Sequence, residues 1–201
     1  MFSIDMNRLS EAPSMFNSCS SLTTFKSSLN LLTSASSMFY NCKNLTSFSA
    51  PTPVLSTATS MFSGCSSLTS FESSSTKLKD VNYMFSGCSS LTTFNGSFAS
   101  VTKSAYNTFR GCKLNKESVA NIANSIALHI PPMKLADEIT ANVTENGKTV
   151  KKIINGIITI HVDSSMPQED LQEVVTSFNI ISEKGWTVET NIPYSYIPPT
   201  L

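Results

Sequence analysis

The chain has 201 residues, with 14 Lys and Arg balanced by 14 Asp and Glu. That length is enough to bury a core in one domain or two small ones, and zero net charge removes any global electrostatic pull toward nucleic acid or an anionic membrane. No apolar run approaches the ~20 residues of a membrane-crossing helix, and the opening MFSIDMNRLS lacks the basic and apolar regions of a signal peptide.

The zero conceals an asymmetry. Residues 1–114 carry 8 basic and 4 acidic side chains, and residues 115–201 carry 6 and 10. Ser and Thr make up 41 of the first 114 residues. Such a polar, uncharged composition suits disorder, but strict recurrence of apolar residues argues against it. MFNSCSSLTTF (15–25), MFYNCKNLTSF (38–48), MFSGCSSLTSF (61–71) and MFSGCSSLTTF (84–94) are near-copies. Cys19, Cys42, Cys65, Cys88 and Cys112 are spaced 23, 23, 23 and 24 apart. Phe2, Phe25, Phe48, Phe71 and Phe94 form a second column, and Leu22, Leu45, Leu68 and Leu91 a third. Leu9, Leu32, Leu55, Leu78 and Val101, then Ala12, Ala35, Ala58, Val81 and Ala105, then Phe16, Phe39, Phe62, Phe85 and Phe109, complete the set.

A period of 20–29 residues marks a leucine-rich-repeat type of solenoid, in which a unit too short to bury its own apolar face buries it against its neighbours. The predicted fold is an α/β solenoid, a right-handed coil of about five 23-residue units over residues 1–114, followed by a small α+β unit over residues 115–201. Within each unit LTxFxS is the predicted strand, with Ser70 and Glu72 on the outer face about Phe71. MFxxC is a predicted helical turn, eased by Gly64, Gly87 and Gly111. At YNTFRGCKL (106–114) the LTxF tail is lost, and the array is expected to end there. Phe2 is in register although the residues that should precede it are absent, so the sequence predicts that upstream residues or a neighbouring subunit cover the first coil.

The four copies resemble the BspA-like, or Treponema pallidum type, leucine-rich repeats, whose units carry an AFxxCxxLxxI core. Met in place of the usual Ala matches an MFxxCxxLT branch, and the resemblance covers roughly residues 2–114. It implies a module of the kind found on bacterial and protozoan surfaces and in phage fibres, with an adhesive or recognition role and no chemistry of its own.

Beyond residue 114 the pattern changes. KLNKESVANIANSIAL (113–128) reads as a helix capped by Asn115 and stopped by Pro131 and Pro132. Two apolar runs follow in 139–162, joined by Asn146-Gly147 as a hairpin turn and ending in the strand GIITIHV. SSMPQEDLQEVVTSFNIISEKGW is a second helix, with Ser165 as N-cap and Gly185 at its end, before a strand at Trp186–Val188. This unit is expected to cap the open end of the solenoid or to serve as a recognition tip.

The cysteine spacing contains no close ligand pair, and aligned side chains in one ladder suit disulfide geometry poorly, so the expectation is a buried ladder of free thiols. His129 and His161 lie outside the repeats, His161 facing solvent or the helix layer, and the acids Asp163, Glu169, Asp170 and Glu173 suit a helix N-terminus. No catalytic residue, cofactor or metal site is predicted. The candidate binding residues are the outer strand columns Thr24, Ser47, Ser70 and Thr93 and Lys26, Ser49, Glu72 and Asn95, with Tyr40, Tyr83 and Tyr106 the nearest exposed aromatics. The expected partner is a cell-surface glycan or protein, with no nucleic acid and no membrane insertion. A structural spacer is the alternative.

Overall fold

The computed structural model describes residues 6–73, 75–101, 105–126, 140–145, 148–153 and 157–192. Phe2, His129, Pro131, Pro132 and the Asn146-Gly147 pair lie outside them.

The repeats stack through their backbones. In the second unit the N–H groups of Ala35, Ser37, Phe39 and Asn41 donate to the carbonyls of Thr57, Thr59, Met61 and Ser63 in the next, at 2.8–2.9 Å. The intervening N–H groups of Met38, Tyr40 and Cys42 turn inward, each to the carbonyl three residues earlier, at 3.1 Å. Ala58, Ser60, Phe62 and Gly64 repeat the outward pattern toward Asp80, Asn82, Met84 and Ser86. MFxxC is therefore a run of consecutive tight turns and not the expected helical turn. Its alternation requires left-handed residues at two places in each unit. One is Ser18, Asn41, Gly64, Gly87 and Gly111, and the other is Ser14, Ser37, Ser60, Tyr83 and Asn107. Asn and Gly tolerate that conformation, whereas a bulky side chain there costs about 1–2 kcal/mol.

Four three-residue strands follow the turns: β1 (Thr24–Lys26), β2 (Ser47–Ser49), β3 (Ser70–Glu72) and β4 (Thr93–Asn95). β1 pairs with β2 and β3 with β4, both parallel, with Phe25 opposite Phe48 and Phe71 opposite Phe94. They form two separate pairs. Pro51 and Pro53, which have no N–H to donate, come two and four residues after β2.

Stacking builds the core as two interleaved phenylalanine columns. Within a column the rings are near-parallel, as in Phe39–Phe62 at 5.4 Å and Phe62–Phe85 at 5.6 Å. Between columns they meet edge to face, as in Phe48–Phe62 at 5.0 Å and 74°. Both arrangements suit the aromatic quadrupole.

The final unit departs from the others. Residues expected to be a degraded turn form β5 (Ala105–Leu114), ten residues long. One edge of β5 receives the N–H groups of Tyr83, Phe85 and Gly87 at the carbonyls of Tyr106, Thr108 and Arg110. The other pairs in parallel with β8 (Ile157–Val162), and β8 in turn with β9 (Thr187–Thr190). A separate antiparallel pair, β6 (Thr140–Glu145) and β7 (Lys148–Ile153), sets Glu145 opposite Lys148.

Helix α1 (Lys116–Ser125) lies along β4, and Asn115 caps it by accepting the Ser118 N–H. Ser118, Asn121 and Ser125 share one face of the helix. Ser118 Oγ accepts the Phe94 N–H at 2.8 Å, Asn121 Nδ2 donates to Gly96 O at 2.8 Å, and Ser125 Oγ accepts the Phe98 N–H at 3.2 Å. Polar side chains thus stand in for the next strand. Helix α2 (Gln168–Glu183) runs beside α1 in the same direction, tied by Lys116 to Asp170 and Glu173 at one end. At the other end Lys184 Nζ donates to the carbonyls of Ala123 and Ile126. Pro167 occupies the N-cap position of α2 and makes no side-chain cap. Ser165, the expected cap, instead donates its hydroxyl to Asp163.

β5 and β8 pair irregularly, with two register shifts. Side chains fill the gaps: Thr159 Oγ1 accepts the Asn107 N–H, and His161 Nδ1 accepts the Gly111 N–H at 3.0 Å. His161 is half-buried, and its ring is bonded to the neighbouring strand. Desolvation, then the Arg110 charge, pulls its pKa below the ordinary 6.5, with Glu189 opposing. A proton binds the unfolded imidazole more readily, so the associated stability is present above pH 6.5 and lost as pH falls toward the folded value. Thermal melts are expected to show a lower Tm at pH 5 than at pH 7.5, and His161→Asn, which keeps an acceptor but does not titrate, is expected to flatten that difference.

Candidate interaction surface

The outer strand columns surround a buried core residue in every unit. Each strand reads exposed, buried, exposed, with Phe at the centre. Thr24 stands opposite Ser47 and Lys26 opposite Ser49, while Ser70 faces Thr93 and Glu72 faces Asn95. The result is two short hydroxyl-rich patches with Lys26 on one and Glu72 on the other.

Many of the other hydroxyls are committed to the stack. Thr33 Oγ1 donates to Ser10 O, Thr46 Oγ1 to Thr23 O and Ser56 Oγ to Thr33 O, each 23 residues back, at 2.9–3.1 Å. The abundance of Ser and Thr is thus partly structural. Sequence reading missed this, although the recurrence of hydroxyls at the repeat period was a visible signal.

The cysteines take part in the same way. Cys42, Cys65, Cys88 and Cys112 are buried and Cys19 is half-buried, and all five are free. The thiols of Cys42, Cys65 and Cys88 donate to the carbonyls of Phe16, Phe39 and Phe62 in the preceding unit at 2.9–3.1 Å, and Cys112 to Phe85 at 3.3 Å. They are donors as well as small apolar groups. Burial is the leading cause that raises all four, with Cys65 pushed up to about 12. Leu45, Leu68 and Leu91 are buried beside them, and Leu22 is half-buried.

The half-buried members gather at the first unit. Met6, Phe16, Cys19, Leu22 and Phe25, with Lys26, line a cavity of about 250 Å³. In later units the same columns are covered by a neighbour.

Two of the acids at the start of α2 are engaged by a lysine of α1. Asp170 and Glu173 are bound to Lys116 at 2.7 and 3.0 Å, which holds the lysine well above its ordinary range. Among the described residues no three His, Cys, Asp or Glu side chains gather in a way that would hold a metal, and no helix is long and apolar enough to cross a membrane.

Units bonded in register through their backbones, with a buried aromatic and thiol core and a polar exterior, define a stacked-repeat protein. The chain belongs to the BspA type leucine-rich repeat family, whose model matches residues 10–127 in six copies. The match runs past Leu114 and through α1, the helix that stands where a further strand would lie. No curated protein and no solved structure matches the chain. Repeats of this class are in general protein-interaction or adhesion modules, are typically non-catalytic, and occur in surface-associated bacterial proteins.

The burial pattern predicts the order of thiol reactivity. With a soluble disulfide reagent at pH 8, Cys19 is expected to react in the folded protein and the other four only on unfolding. Because burial raises the folded thiol above its ordinary 9.0, stability is fully present below pH 9 and is expected to fall as pH rises beyond it, when unfolded thiols ionise first.

Proposed function

We propose that the chain is a noncatalytic recognition module that binds a cell-envelope glycan or protein. It would be displayed on a cell surface or, as a tail-fibre segment, on a virion. The observation that carries this reading is the set of exposed strand columns, Thr24/Ser47 and Ser70/Thr93 with Lys26, Ser49, Glu72 and Asn95, held in register over buried phenylalanines. A rigid array of hydroxyls on a family of interaction repeats favours many weak polar contacts over a single pocket. In this reading the stack is a right-handed solenoid, which is supported by the parallel pairing of sequential strands, since such crossovers are right-handed in about 98% of cases. Residues 115–201 act as its cap, a role supported by the bonds from Ser118, Asn121 and Ser125 to the backbone beyond Thr92.

The second reading is a spacer or assembly element, favoured by the cavity at the first unit, where an upstream segment or a neighbouring subunit would seat. A glycan array and a whole-cell binding assay separate the two. Replacing Thr24, Ser47, Ser70, Thr93 and Glu72 together with alanine is expected to reduce binding at least tenfold with little change in Tm. Undiminished binding by that variant, or no binding by the parent, would remove the strand columns from this role.

A further inference from the structure

The interface between units has two unlike halves. Each unit donates backbone N–H groups to the unit after it and offers carbonyls to the unit before it. The carbonyls of Ser34, Ser36, Met38 and Tyr40 thus accept from Ala12, Ser14, Phe16 and Ser18 at 2.7–2.9 Å. Their counterparts in the first unit are Glu11, Pro13, Met15 and Asn17. Among the described residues nothing donates to those four carbonyls. The side chains match. Met15 is 46% exposed, whereas Met38, Met61 and Met84 are fully buried. Phe16, Cys19 and Leu22 are half-buried and line the cavity with Phe25. Among the described residues no earlier carbonyl receives the free Cys19 thiol as Phe16 O receives that of Cys42.

Within the stack, the equivalent face is covered each time by a coil of one kind. Its alternate N–H groups meet the carbonyls, and its two phenylalanines stack on those beyond, as Phe16 and Phe25 do on Phe39 and Phe48 at 5.3 and 5.7 Å. A second copy of this chain does not supply such a coil. Two copies joined through this face about a twofold axis would set carbonyl against carbonyl. Head to tail, the donor edge is already taken, because Tyr83, Phe85 and Gly87 donate to β5 and the far edge of β5 pairs with β8. Charge narrows the occupant further. Lys26 is exposed and lines the cavity, and its column continues as Ser49, Glu72 and Asn95. A coil with a carboxylate at that position is electrostatically matched to it.

We infer that the open face of the first unit is a docking site for a repeat coil of a separate polypeptide. That coil offers alternate outward N–H groups, two phenylalanines for Phe16 and Phe25, and a carboxylate for Lys26. Such docking rests on the assembly reading of this cavity and names the partner it takes. The third unit of the chain has all these features, in the outward N–H groups of Ala58, Ser60, Phe62 and Gly64 and in Phe62, Phe71 and Glu72. Residues 51–73 therefore serve as a probe, which would extend the stack by one coil with its Phe62 on Phe16 and its Phe71 on Phe25.

The test measures binding of a synthetic peptide of residues 51–73, carrying Cys65→Ala, to the full chain by fluorescence anisotropy, and follows Cys19 with a soluble disulfide reagent. Saturable binding that slows Cys19 modification at least tenfold is expected. N-methylation of the peptide at Ala58 and Phe62 removes two of its four donors and is expected to weaken binding at least tenfold. Glu72→Lys in the peptide is expected to weaken it roughly threefold. Equal binding by the N-methylated peptide would overturn the proposal, since apolar contact alone would then suffice. A Cys19 that millimolar peptide does not protect would also overturn it, and would leave the strand columns to their own glycan and whole-cell assays. Protection that grows with protein concentration and needs no peptide would replace the occupant with a second copy and keep an assembly role. A Cys19 inert at every concentration without peptide would place the chain's own residues on the face and remove the site.

Discussion

Everything in the repeat region depends on one constraint: every second N–H of the turn segment must point out of its own unit to the carbonyl of the next. An extended strand meets that requirement along its whole length, and β1–β4 do so for only three residues each. Most of the stacking is therefore done by turns, which must alternate between inward and outward bonds. That alternation explains the left-handed backbone at Ser37 and Asn41 and at their counterparts. It also explains Gly64, where an added Cβ would collide with the side chain of Asn41 in the unit before.

Once the backbones are bonded in register, the side chains have little freedom. Equivalent residues lie one unit apart, so phenylalanines stack within a column and meet edge to face across columns. Hydroxyls and thiols on the flanks reach back to carbonyls of the preceding unit. Each such bond satisfies an acceptor that would be costly to leave unpaired when buried. The two ends are then unlike. At one, α1 offers a row of polar side chains to the last strand, and at the other the half-buried Phe16, Cys19 and Leu22 line a cavity.

The period and the apolar columns were legible in the sequence because stacking translates directly into recurrence, and the Phe, Cys and Leu columns carried the family resemblance. The outer strand columns were legible for the same reason, through alternation about Phe71. What could not be read depended on partners far along the chain. YNTFRGCKL looks like a failed repeat, yet it becomes β5 because β8, some 50 residues later, pairs with it. Nothing local signals Gly111 as the bonding partner of the half-buried His161. Ser165 looked like a cap, but Pro167 starts the helix two residues further on and Asp163 takes the serine hydroxyl. The turn at Ser14, Ser37 and Ser60 carries no glycine, and so gave no sign of its left-handed backbone.

Hydrogen exchange of the Phe39, Phe62 and Phe85 amides tests the account most directly, since each donates to the unit that follows. If stacking is carried by these bonds, all three amides exchange only through cooperative unfolding of the repeats, with protection free energies matching the stability measured by denaturant. Exchange within minutes, at the rate of ordinary surface-turn amides, would contradict it and leave the units held by their side chains alone.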